Sequence, residues 1–196
     1  IVLGPDINYL LLNHEMGHIF CLPDLYPFPD GAEYNVYKDY GRFVGGFSLM
    51  ANEAVASPDL FAWDKWRLGW ISDNGIDCLD VRDKGSSRHR LTPLYRNMLG
   101  KKAVVLVLSK ETALVAEYRL DGGVDTATCS PGLLLYTIDT RVRTGRGPIR
   151  VIDAHPWTTG CDDQPLNDAT LSINGKKSLR IHEYGVDVEI VSQSFT

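Results

Sequence analysis

The sequence is poor in the residue types that mark several broad protein classes. It has only 5 histidines, 4 cysteines and 3 methionines in 196 residues, so any pattern these residues form stands against a low background. Excess positive charge is absent: the formal net charge is −5, which removes the electrostatic basis for binding nucleic acid. No apolar run approaches the ~20 residues that a membrane-spanning helix requires. The start lacks a basic stretch followed by a long apolar one, so no signal peptide is expected in the chain, as would also hold for a processed protein. There is no Asn-x-Ser/Thr acceptor site, internal repeat or low-complexity tract. What remains is ordinary: 44% hydrophobic and 23% charged residues, enough to build one large or two small domains with a real core.

Against this background one run organises the chain: Asn13-His14-Glu15-Met16-Gly17-His18-Ile19-Phe20-Cys21-Leu22-Pro23-Asp24-Leu25-Tyr26. A helix over about residues 7–20, entered from the Gly4-Pro5 turn with Asp6 as N-cap, places His14 and His18 four residues apart on one face. Two imidazoles so spaced can grip one zinc ion, with Glu15 beside the open coordination position. Pro23 forces the chain to turn, which could swing Asp24 back to the same ion as a third ligand. Two nitrogens, one carboxylate oxygen and an open position describe a catalytic rather than a structural zinc site. At roughly 100° per residue, Ile7, Leu10 and Leu11 fall on the histidine side, and Tyr9, Leu12, Met16 and Ile19 fall opposite. A helix apolar nearly all round is expected to be covered on both faces. One covering element is missing from the chain, so an N-terminal segment of the same protein is the expected partner.

The run His14-Glu15-x-Gly17-His18-x-x-Cys21-Leu22-Pro23-Asp24-x-Tyr26 resembles the zinc signature of the immune inhibitor A family of secreted metalloproteases. These are metzincins with Asp in place of the usual third His. Gly46-Phe47-Ser48-Leu49-Met50-Ala51 resembles the family's Met-turn, and the stretch from Pro58 to Ile71 resembles the helix that closes its protease domain. Glu117-Tyr118-Arg119 and the run from Gly132 to Asp139 are similar to segments that follow that domain. The resemblance implies a secreted zinc endopeptidase with His14, His18 and Asp24 as ligands, Glu15 as general base and Met50 beneath the metal. It also implies that an upper subdomain normally precedes the zinc helix. Cys21 stands where the family pattern has Gly. The opening Ile1-Val2-Leu3-Gly4 is similar to that of activated trypsin-like proteases, but no triad follows it.

The expected fold is α+β. Residues 1–72 form the C-terminal part of a metzincin-like catalytic domain, and residues 73–196 form an antiparallel β-sandwich or barrel. The closing helix has Ser57 as N-cap, Pro58 at N1, an apolar stripe of Leu60, Trp63, Trp66 and Trp70, and Gly69 as its stop. Beyond Gly75 the strand candidates are residues 88–94, 103–108, 113–120, 133–139, 150–152, 169–173, 178–182 and 186–191. Asn174-Gly175 is a two-residue hairpin signal. The loop over residues 25–46 suits a wall of a substrate cleft. Asp30, Glu33 and Asp39 within it are either calcium ligands or a solvated acidic loop. His89, His155 and His182 lack ligand spacing.

Four cysteines allow three pairings. Cys129–Cys161 with Cys21–Cys78 is the simplest, the second bond tying the exit of the zinc helix to the β half. A residue with a Cβ at position 21 costs about 1 kcal/mol in a left-handed turn, which a disulfide could hold. Two functions are compatible with these residues. One is an endopeptidase acting on protein or peptide, with zinc as cofactor. The other is a binding module for protein or carbohydrate that carries an incomplete protease segment.

Overall fold

A computed structural model describes residues 9–29, 40–51, 59–96, 99–125, 129–162 and 164–194. Among the described residues, two α-helices, α1 (Tyr9–Ile19) and α2 (Ala62–Arg67), precede seven strands: β1 (Ile76–Asp80), β2 (Ala103–Val107), β3 (Thr112–Arg119), β4 (Gly132–Asp139), β5 (Ile149–Val151), β6 (Ser178–Ile181) and β7 (Val186–Glu189). The first five form one sheet in the order β1-β2-β3-β4-β5, and β6 and β7 form a two-stranded hairpin. The chain is thus α+β with two sheets. Asp6 and Ile7, the calcium candidates Asp30, Glu33 and Asp39, and the capping pair Ser57-Pro58 lie outside the described residues.

Alternation along the central strands builds a two-sided sheet. On β3, Ala113 and Val115 face one way and Leu114 and Ala116 the other; on β4, Leu134, Tyr136 and Ile138 oppose Leu133 and Leu135. The first face packs against Leu22, Leu25, Phe43, Val44, Phe47, Met50 and Phe61 from the helical half. The second receives Leu179, Val186 and Val188 from the β6–β7 hairpin. The larger buried cluster therefore draws side chains from both sides of residue 72.

Several expectations need correction. The main sheet is mixed rather than wholly antiparallel, because β1 and β2 run parallel, Ile76 opposite Ala103. A parallel pair needs a long crossover, and the described residues of this one, 81–96 and 99–102, form no helix or named strand. β1 was hidden in the sequence because Ile76-Asp77-Cys78-Leu79-Asp80 carries two carboxylates; Asp77 is held there by Lys101 and His89. The runs at 88–94 and 169–173 make only isolated bridges, Leu91 to Lys101 and Leu171 to Leu133. Asn174-Gly175 does turn the chain, with Ser172 N–H donating to the Lys176 carbonyl, but the strand hairpin closes later, through Gly185 at φ 65°.

Helix α2 starts later than its stripe suggests. Asp59 is held outside the helix: its carbonyl accepts from Leu49 N–H, and its carboxylate accepts from Leu60 N–H and pairs with Lys65. The first turn of α2 has no local side-chain cap; Glu117 of β3 accepts from Ala62 N–H at 2.7 Å instead. Gly69, at φ 74°, ends α2 as expected. Its N–H donates to the Trp66 carbonyl and that of Trp70 to the Lys65 carbonyl, a Schellman closure.

Candidate metal centre

Helix α1 ends by the same closure. Cys21 N–H donates to the His18 carbonyl and Leu22 N–H to the Gly17 carbonyl, which places Cys21 at the left-handed position with φ 61°. Left-handed geometry at residue 21 is therefore present, as the Gly of the family pattern implies. The expected Cys21–Cys78 bond is not: both thiols are unpaired and exposed. Cys78 lies in β1 opposite Val105, and Cys21 lies in the turn that ends α1. The other expected pair, Cys129–Cys161, is disulfide-bonded.

The turn after α1 brings Asp24 back beneath the helix. His14 Nδ1–H donates to the Leu49 carbonyl at 2.8 Å and His18 Nδ1–H donates to the Leu22 carbonyl at 2.9 Å. A carbonyl only accepts, so each Nδ1 carries the proton and a neutral ring keeps its lone pair on Nε2. Those Nε2 atoms lie 3.3 and 3.2 Å from Asp24 Oδ1. Oδ1 is buried and has no partner in hydrogen-bond geometry. The three ligand atoms lie within 4.8 Å of one another, the one His/Cys/Asp/Glu cluster of this kind among the described residues. Two nitrogen lone pairs and a carboxylate oxygen converging at 3.2–3.3 Å repel unless a proton or a metal ion supplies positive charge between them, so the donor set fits a cation.

Burial alone would raise the Asp24 carboxyl, but positive charge shared at the Nε2 atoms of His14 and His18, from a proton when no ion is bound, and the Tyr26 hydroxyl outweigh it and hold the group below its ordinary range. Tyr26 is pushed the opposite way, first by burial and then by the Asp24 charge, so its phenol stays protonated. Its ring stacks on His14 at 6.1 Å and on Tyr40 at 4.9 Å. Glu15 is half-buried one residue after His14, at the side of the cluster rather than among its ligand atoms.

Met50 is wholly buried directly under α1. A Cβ built on Gly17 would meet Met50 Sδ at 2.4 Å, so the Gly within the histidine motif is what lets the helix sit this low on the methionine. The Met50 carbonyl also accepts from Leu25 N–H at 2.8 Å, fixing the strand of chain that carries Asp24.

No family model, curated protein or solved structure matches the chain. The site is therefore read from its own geometry.

The structure brings His14, His18 and Asp24 together, with Met50 beneath α1. The remaining histidines sit elsewhere: His89 bonds Asp77 and Ser87, and His155 bonds the Thr170 carbonyl. Two contributors escaped the sequence reading. The carbonyls of Leu22 and Leu49 orient the imidazoles, and Thr144, from the β4–β5 connection, bonds Asp24. Backbone carbonyls leave no composition signal, and Thr144 is 120 residues away along the chain.

Proposed function

We propose that the chain carries the zinc-binding part of a secreted endopeptidase of the immune inhibitor A type. His14, His18 and Asp24 hold the ion, and Glu15 is the general base. The observation that carries this reading is the buried Asp24 Oδ1, without a hydrogen bond, 3.3 and 3.2 Å from the two Nε2 atoms. Tetrahedral zinc with bonds near 2.0–2.1 Å sets neighbouring ligand atoms about 3.3 Å apart, matching the two edges that join Asp24 Oδ1 to the Nε2 atoms.

When bound, zinc supplies Lewis acidity toward a scissile carbonyl and acidifies a water molecule. The rest falls to the chain. The Leu49 and Leu22 carbonyls hold both imidazoles in the tautomer that presents Nε2. Glu15 takes the proton of the attacking water and returns it to the leaving amine. Met50 and Gly17 set the height of the helix that carries all three of His14, Glu15 and His18. The substrate is a protein or peptide.

A disulfide and the absence, among the described residues, of a helix able to cross a membrane are compatible with export. The face of α1 opposite the histidines is bare: Tyr9 is 72% and Ile19 63% exposed, with Met16 beside them. In this reading a further segment of the same protein covers that face and completes the cleft. The same bare face is what favours the alternative, a non-catalytic binding module with an incomplete protease segment.

Zinc content and casein cleavage, measured for the wild type and Glu15→Ala, separate the two. Zinc in both proteins, with cleavage lost by a factor of at least about 100 in the variant, is the expected result. Equal cleavage by both proteins would defeat the Glu15 mechanism. Zinc without cleavage in either would favour the binding module or a cleft that the further segment has to complete.

A further inference from the structure

The zinc reading leaves unexplained why Asp24 presents one carboxylate oxygen rather than two. Its two oxygens have different surroundings. Oδ1 faces the histidines without a hydrogen bond, whereas Oδ2 accepts from the Thr144 hydroxyl at 3.2 Å. The same hydroxyl oxygen accepts from Asp24 N–H at 2.8 Å, so one side chain grips both the backbone and the carboxylate of Asp24. The contact extends to the next residue: Gly145 N–H donates to the Asp24 carbonyl at 3.0 Å, and Phe28 N–H donates to the Gly145 carbonyl at 2.9 Å. Gly145 takes φ 68° under the Phe28 ring, where a Cβ would lie 2.2 Å from Cγ. Residues 24–28 are thereby held from two sides, by Met50 through Leu25 and by the β4–β5 connection through Thr144 and Gly145.

We propose that Thr144 is a positioning residue for the metal centre: its hydroxyl occupies Asp24 Oδ2 and so commits Oδ1 to the ion as a single-oxygen ligand. This rests on the metal reading above and deepens it. A carboxylate on a two-bond side chain is free to rotate about its terminal torsion, which is broad and roughly two-fold. Holding one oxygen removes that freedom before the ion arrives, and outer-shell partners of this kind are worth roughly 10–100-fold in metal affinity. Thr144 itself is exposed at the rim of the site, so the value expected here is near the lower end, and replacing it leaves the core intact.

The test uses the full chain and zinc alone. Apparent zinc dissociation constants are measured by chelator competition for the wild type, Thr144→Val, Thr144→Ala, Thr144→Ser and His14→Ala. Thermal melts of the zinc-free proteins run alongside. Affinity about tenfold weaker in the valine and alanine variants, restored by serine, with zinc-free melts matching the wild type, is the expected result. Unchanged affinity in Thr144→Val and Thr144→Ala, as when water replaces the hydroxyl, would overturn the role of Thr144 while leaving the metal reading intact. Weakening that serine does not restore, or that tracks a loss of zinc-free stability, would also overturn it, since a merely structural role behaves that way. Zinc binding that His14→Ala does not weaken would overturn the metal reading and this proposal together.

Discussion

Two helices of this chain end in the same backbone closure but with different residues at the left-handed position. Gly69 supplies it after α2 without a Cβ penalty, whereas Cys21 supplies it after α1 at φ 61°, with no disulfide to hold the turn. A left-handed Cβ costs about 1–2 kcal/mol, part of which the extra flexibility of an unfolded glycine cancels. Cys21→Gly is therefore expected to stabilise the zinc-free protein by about 0.5–1 kcal/mol in urea unfolding, with the helix content unchanged. Mass-spectrometric thiol counting on the native chain should find two alkylated cysteines before reduction, Cys21 and Cys78. Three alkylated thiols, or none, would contradict the pairing seen here. Gly17 is the converse case: its lack of a Cβ serves tertiary contact with Met50, not backbone conformation.

At the scale of elements, α2 and β3 are joined by buried charge. Glu117 caps the first turn of α2, accepts from the Tyr136 hydroxyl and pairs with Arg119. Arg119 continues to Asp125 and to the Phe47 carbonyl, so the sheet is tied to the loop that leads into Met50. Glu117 and Arg119 are both fully buried, and such a pair is sustained only because its remaining hydrogen bonds are made elsewhere in the protein. Asp64 of α2 lies in the same region at 1% exposure, and neither carboxylate oxygen has a hydrogen bond. Burial pushes its carboxyl up to about 7; Arg67 and Arg119 pull it down and Glu117 adds to the rise. The folded state therefore binds more protons than the unfolded state between the unfolded pKa near 4 and about 7. Stability contributed by neutral Asp64 is complete below that window and falls as pH rises through it. Asp64→Asn should remove this slope, so the variant gains on the wild type from pH 4 to 7 and the difference levels off above. A difference that is flat from pH 4 to 8 in urea unfolding would refute the buried neutral acid.

The whole molecule is held by a core that does not respect the division between helical and strand-rich halves. Phe43, Met50 and Phe61 pack with Val115, Tyr136 and Ile149 in one cluster, and the metal segment is braced from the β4–β5 connection. The Cys129–Cys161 bond, spanning 32 residues, closes a loop within the strand-rich half. Asn167 donates to the Cys161 carbonyl and accepts from Gly46 N–H at 2.7 Å, linking the disulfide segment to the turn that leads to Met50. Loop-closure entropy puts the bond at about 3–4 kcal/mol. The Cys129→Ser/Cys161→Ser double variant should melt about 10 °C lower, and reductant should lower the wild type by a similar amount without affecting the variant.

The sequence by itself determined the helix that bears His14 and His18, the turn enforced at Pro23, the β3 and β4 strands and the stop of α2 at Gly69. Each follows from local periodicity or from what a proline or glycine backbone permits. It also marked Asp24 as the third member of the cluster, through spacing and resemblance. Only the tertiary structure decided which carboxylate oxygen faces the histidines, because Thr144 and the Leu22 and Leu49 carbonyls act across turns or across most of the chain. It alone decided the parallel β1–β2 pair, where Lys101 and His89 hold Asp77 and Arg82 holds Asp80 in the strand. The same holds for the late start of α2, whose cap is a glutamate from a strand rather than a neighbour in the chain. Local patterns specify what a segment can become; long-range hydrogen bonds and buried ion pairs choose among the alternatives.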